Sequence, residues 1–252
     1  MNAVNHDLIA TMLLGVLCFV LLVAAVFVFL ALRWRRQDSE GAATDNAESG
    51  RRLPTRERHG LQEWHRPRSW LAIRSGNPLA VQAALALHNP QPCSWAEGLQ
   101  SGHERALFVS APVAGWILVV GGALPEPAGD VDICFRFLTD LSRQLGEVQF
   151  FSSNPMLGHH AWARLSQGRV LRAYAWAGTT LWNQGELTAV EAALRLQCHD
   201  YAEAEMTGFA AREEAEENAE RVPLLATCWS IDPGDLDARF MAEERGILGR
   251  RK

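Results

Sequence analysis

Lysine is almost missing from this chain: of 24 basic residues only Lys252, the last residue, is a lysine. The skew toward arginine is read as compositional, and a formal net charge of -5 leaves no electrostatic footprint for nucleic acid. Paired cysteines are missing as well. Cys18, Cys93, Cys134, Cys198 and Cys228 are odd in number and form no CxxC, as expected for isolated thiols in a reducing compartment. There is no GxxxxGK[ST] loop, GxGxxG, HExxH, GxSxG elbow or kinase signature set, which argues against nucleotide hydrolysis, zincin proteolysis and standard α/β-hydrolase chemistry. No internal repeat is present, and neither a cofactor nor a metal is implied.

What the sequence does have is a long apolar run. Leu8 to Leu32 contains no charged residue and a single hydroxyl residue, Thr11. At a rise of ~1.5 Å per residue such a helix exceeds the ~30 Å hydrocarbon core of a bilayer, so the expectation is a transmembrane helix over 8–32. The leader 1–7 carries no Lys or Arg, whereas Arg33, Arg35 and Arg36 follow the run. By arginine bias the N-terminus is expected outside and the rest of the chain in the cytoplasm, as in a single-pass protein of the inner membrane. Residues 33–63 are polar and poor in large apolar groups, and are expected to be a flexible linker.

Residues 64–200 read as one globular α+β domain with a mixed sheet of four or five strands and flanking helices. Asn77-Pro78 opens a helix to about residue 87, stopped by HNPQP, and Ser94 to Glu97 has capping-box spacing. Strands are expected at 106–110, 115–122 and 147–153. The second of these is continuously apolar, as a central strand covered on both faces would be. Between the last two, Val131, Cys134, Phe135, Leu138, Leu141 and Leu145 recur at helical spacing and Gly146 supplies a stop, an order that allows a parallel crossover. A helix from Thr188 to about His199 opens on the capping box TAVE. Residues 201–252 are rich in Ala and Glu and are expected to form an acidic helical arm with a frayed end at GRRK.

The stretch LGHHAWARLSQGRVLRAYAW, residues 157–176, reads as a hairpin around Gln167-Gly168. A two-residue turn pairs Leu165 with Val170, Ala163 with Arg172, Ala161 with Tyr174 and His159 with Trp176. One face then carries Arg172, Tyr174, Trp176 and His159, and the other His160, Trp162 and Arg164. Because the two histidines alternate across the strand, they are not expected to share a metal site.

Two uses of these residues follow. Arg172, Tyr174 and Trp176, with Trp182 beyond, have the composition of a protein-binding hot spot. The leading expectation is therefore a non-enzymatic, membrane-anchored cytoplasmic interaction domain, such as a scaffold, a regulator or an immunity-like binder of a protein partner. The alternatives are an enzyme with His159 or His160 as general acid or base, and a small-ligand sensor with its pocket against the hairpin.

Overall fold

The computed structural model describes residues 67–100, 105–201 and 209–251. They form nine strands: β1 (Ser69–Arg74), β2 (His88–Cys93), β3 (Ala106–Val109), β4 (Trp116–Val120), β5 (Glu147–Asn154), β6 (His159–Ser166), β7 (Arg169–Trp176), β8 (Thr180–Gln184) and β9 (Gly246–Arg250). The helices are α1 (Pro78–Ala84), α2 (Trp95–Gln100), α3 (Val131–Leu145), α4 (Ala189–Ala193), α5 (Phe209–Trp229) and α6 (Ala238–Glu243). All nine strands belong to one sheet in the order β2-β9-β3-β4-β1-β5-β6-β7-β8, and every adjacent pair is antiparallel.

The expected mixed sheet of four or five strands is therefore corrected to a nine-stranded antiparallel one. Four strands are additional, and two of them, β2 and β9, lack a clear sequence signal for a physical reason. β2 reads HNPQPC, and its two prolines are tolerated because it is an exposed edge strand. β9 lies in the segment expected to fray, yet it sits between β2 and β3 and pairs with both. Its glycines permit this: a Cβ at Gly246 would stand 2.3 Å from the Phe108 ring. The β4–α3–β5 crossover does join two parallel strands, but β1 lies between them, antiparallel to each.

Helices cover both faces, which explains why the central strands are apolar at every position. β4 is buried throughout and β1 is buried except at Arg74. One face packs Leu71, Ile73, Val119 and Phe150 against Val81 of α1 and Cys134, Leu138 and Leu141 of α3. The other packs Trp70, Phe151, Trp162 and Tyr174 against α5, whose Ala215, Ala219, Val222, Leu225 and Ala226 recur every three or four residues on its buried side. The acidic run of α5 thus has an apolar reverse side made mostly of small residues.

Local signals set the helix ends. Asn77 Oδ1 accepts from the amides of Leu79 and Ala80, and Asp130 Oδ1 from Ile133. Gly146, at φ 87°, closes α3 in a conformation that favours glycine. α4 ends well before His199, because the chain leaves the helix at Arg195 with φ 54°.

Among the described residues no helix is long and apolar enough to cross a membrane. The span expected at 8–32 and the linker at 33–63 lie outside the described residues. The assignment as a single-pass inner-membrane protein with a fixed orientation is accordingly corrected: no described element supports it.

Gly246→Val is expected to destabilise the full chain by about 1–3 kcal/mol through overpacking against Phe108. Gly76→Ala, where nothing stands within 4 Å of the added Cβ, is expected to stay within about 0.5 kcal/mol of the parent. Urea unfolding midpoints of the two variants and the parent check this.

Candidate functional site

The hairpin turn forms as expected, with Gln167 at φ 50° and Gly168 at φ 77°. Next to the turn the pairing is also as expected: Ser166 faces Arg169 and Leu165 faces Val170. Then Arg164 pairs with Arg172, so Leu171 is an extra residue in β7. This β-bulge shifts the register by one residue, and a one-residue slip moves every later side chain of the strand to the other face. Trp162 therefore pairs with Tyr174 and His160 with Trp176, and the expected partnership of His159 with Trp176 is not made. The bulge gathers His160, Trp162, Arg164, Arg172, Tyr174 and Trp176 on one face. His159, half-buried, pairs with Asn154 and lies on the other.

None of the anticipated hot-spot residues is exposed: Arg172, Tyr174, Trp176 and Trp182 are all buried. Trp182 does not join the other three. It belongs to the opposite core, edge-on to Phe135 at 5.6 Å. His160 is only 3% exposed and stacks on Trp162 with ring centroids 5.7 Å apart.

At the centre of the gathered face is an ion pair between two buried groups. Arg172 Nε donates to Glu191 Oε1 at 2.8 Å, with side-chain exposures of 3% and 0%. The same oxygen accepts from Trp162 Nε1 at 2.6 Å, and Oε2 accepts from the backbone amide and hydroxyl of Thr188 at 2.8 and 2.7 Å. The Glu191 carboxylate thus has four donors for its roughly four lone-pair sites. Arg172 Nη1 donates to Asn183 Oδ1 at 2.8 Å and to the carbonyls of Ala173, Gln184 and Gly185. Its Nη2 donates to Cys198 Sγ at 3.1 Å, a weak acceptor. Burial pushes the Cys198 thiol up to about 12, beyond what the neighbouring Arg172 offsets, so it is a thiol and not a thiolate at neutral pH.

Two spaces lie near these residues, and only the larger is lined by Arg172. The smaller, of about 10 Å³, has room for about one water and lies between His160, Tyr174, His199 and Asn218. Backbone groups decide the chemistry there. The Gln197 amide donates to Asn218 Oδ1 at 3.0 Å and the Gln197 carbonyl accepts from Nδ2 at 2.8 Å, which fixes the orientation of the Asn218 amide. The second Nδ2 hydrogen then points to His160 Nε2 at 3.3 Å, leaving the ring proton on Nδ1 to be donated to the Gly158 carbonyl at 3.1 Å. Desolvation drives the His160 pKa down to about 4; nearby His159 and His199 add to the lowering, and the Gly158 and Ala215 carbonyls partly oppose it. His160 thus bridges β6 and α5 through these two hydrogen bonds. His199 Nε2 contacts Glu214 at 2.7 Å, and the His199 backbone amide donates to Tyr174 Oη at 3.1 Å.

The larger space is an open cleft of about 460 Å³, bounded by the β7–β8 edge and the chain from Gly185 to Asp200. Arg172 and Cys198 line its base, Leu187 and Leu196 its walls, and Asn183, Gln197 and Asp200 its rim. The fold reaches so far around this edge because Gly185, at φ 82°, passes the Leu171 carbonyl at the bulge: a Cβ there would lie 2.3 Å from that oxygen. Among the described residues there is no group of three His, Cys, Asp or Glu side chains arranged to hold a metal ion.

Sequence reasoning missed Glu191, Asn218, Asn183 and Cys198 as members of the site. Glu191 did carry a signal, since the TAVE capping box locates its carboxylate at the helix start. Its Oε2 caps α4 while its Oε1 neutralises Arg172. Asn218 is hidden inside an acidic run with nothing local to mark it.

Removing one partner from a buried ion pair leaves an uncompensated charge, so Glu191→Ala is expected to cost roughly 3–5 kcal/mol. Replacing both partners, as Arg172→Met with Glu191→Met, is expected to recover much of that loss, read by chemical denaturation. His160 carries a pKa below its ordinary 6.5 when folded, so protons bind the unfolded chain more readily. Its contribution is fully present above pH 6.5 and is lost as pH falls toward about 4, a loss of roughly 3 kcal/mol. The stability difference between the parent and His160→Gln should therefore be flat above pH 6.5 and shrink below it, measured by urea unfolding across that range.

No family model matches this chain, no curated protein is similar to it and no solved structure matches it, so its functional reading rests on the geometry of the site itself.

Proposed function

We propose that the domain is a binding module rather than an enzyme, and that it takes a small polar ligand in the cleft between the β7–β8 edge and the Gly185–Asp200 chain. The observation that carries this reading is the cleft's construction. Its volume of about 460 Å³ falls within the ~300–1,000 Å³ of small-molecule sites. It combines two leucine walls with a few convergent polar groups. Arg172, at its base, is held rigid by six hydrogen bonds to the rest of the fold. Such bracing pre-organises a recognition group and keeps the ordering cost of binding low.

Two rival uses of the same residues have less support. Recognition of a protein partner through Arg172, Tyr174, Trp176 and Trp182 calls for an exposed face, and all four are buried. Acid–base catalysis by His160 calls for access to a substrate and a pKa near the working pH, and this ring is enclosed with both nitrogens engaged.

The test is saturation-transfer NMR of the full chain against a panel of soluble polar metabolites, repeated with Gln197→Trp. Gln197 is exposed at the rim, so the new indole fills the cleft without entering either core. One or more compounds should receive saturation from the parent and lose it with the variant. Silence across the panel, or signals unchanged by the variant, would remove the cleft as a ligand site.

A further inference from the structure

Among the described residues the sheet has two edges, β2 and β8, and an edge strand presents backbone N–H and C=O groups with which another strand can pair. β2 is protected in the ordinary way. Its Pro90 and Pro92 carry no N–H, and its register against β9 shifts between His88 and Gln91, where Asn89 has φ 50°. β8 has neither device. Its sequence TLWNQ contains no proline and no charged residue, and its threonine and tryptophan favour the extended conformation.

A side chain takes the place of those devices. The Asn183 amide donates to Tyr201 Oη at 2.7 Å, and the same hydroxyl donates to the Asn183 carbonyl at 3.3 Å. In an antiparallel ladder the two backbone groups of one residue point to the same side and are matched by one residue of the next strand. A hydroxyl is both donor and acceptor, so Tyr201 does at Asn183 what a residue of a further strand would do. Side chains of β8 hold the chain just before the phenol: Thr180 Oγ1 donates to the His199 carbonyl at 2.9 Å, and Asn183 Nδ2 to the same carbonyl at 3.2 Å. Burial does not account for the placement of the ring, because Tyr201 is 62% exposed. Its hydroxyl is the part that the fold uses.

We propose that Tyr201 guards the β8 edge against strand pairing with a second copy of this chain. An antiparallel strand paired with its own copy is self-complementary about a two-fold axis, so the backbone groups now held by Tyr201 would serve on both sides of the contact. A two-fold contact closes on itself, and the protected β2 edge offers no route to further growth. Loss of the guard therefore gives a dimer and not a fibre. None of this depends on a ligand in the cleft.

Sedimentation velocity of full-length Tyr201→Phe beside the parent, across one dilution series, tests the proposal, with thermal unfolding to check that this exposed substitution leaves the fold intact. The variant should rise to twice the parent's mass as concentration increases, while the parent's mass stays constant. Amide hydrogen exchange followed by NMR locates the contact. The Asn183 amide should be protected in the parent and exchange at least about tenfold faster in the dilute variant, having lost its acceptor. In the concentrated variant its protection should return, because the partner strand then supplies the acceptor. The proposal is overturned if the variant keeps the parent's mass throughout the series, if it grows into open-ended aggregates, if Asn183 exchange in the dilute variant equals that of the parent, or if the variant dimerises while the Asn183 amide stays unprotected.

Discussion

A carboxylate removed from water must have its lone pairs filled, and the enclosed oxygens of Glu191 receive Trp162, Arg172 and two groups of Thr188. That requirement organises one side of the molecule. It holds the start of α4 against β6 and β7, fixes the Trp162 indole, and makes burial of Arg172 tolerable. Arg172 in turn ties down the end of β8 and the chain at Cys198. The cleft is the space left over this network once its groups have been drawn to the sheet.

The bulge at Leu171 is what brings these partners together. With regular pairing, Trp162 and Arg172 would stand on opposite faces, and no single carboxylate would reach both. Inserting one residue after Val170 turns β7 over, so two arginines sit opposite each other at Arg164 and Arg172. Like charges at a cross-strand pair are unfavourable. Each is answered by its own carboxylate, Arg164 by Glu147 and Arg172 by Glu191. The extra residue itself is apolar and about half exposed, which a bulge at a strand end permits.

The opposite end of the same face is closed in a different way. There α5 lies on the sheet with alanines and valine rather than large side chains, so the helix approaches closely enough for Asn218 to reach both the Gln197 backbone and His160. Neutral hydrogen bonds hold this end and a buried charge pair holds the other. The first of these responds to acid: the hold of His160 weakens as pH falls toward about 4.

Local features decided a good part of this structure. The caps at Asn77, Ser94 and Thr188, the stop at Gly146, the turn at Gln167-Gly168, the periodicity of α3 and the all-apolar β4 were legible because each depends on neighbours within a few residues. The alternation that separates His159 from His160 is equally local. Only the tertiary structure decided the rest. β9 pairs with strands more than a hundred residues away, and its glycines matter only once Phe108 is beside them. β2 is a strand despite two prolines because it lies at an edge. The Glu191–Arg172 pair and the Asn218 bridge join residues 19 to 58 positions apart, at distances set by packing rather than by any repeating pattern along the chain.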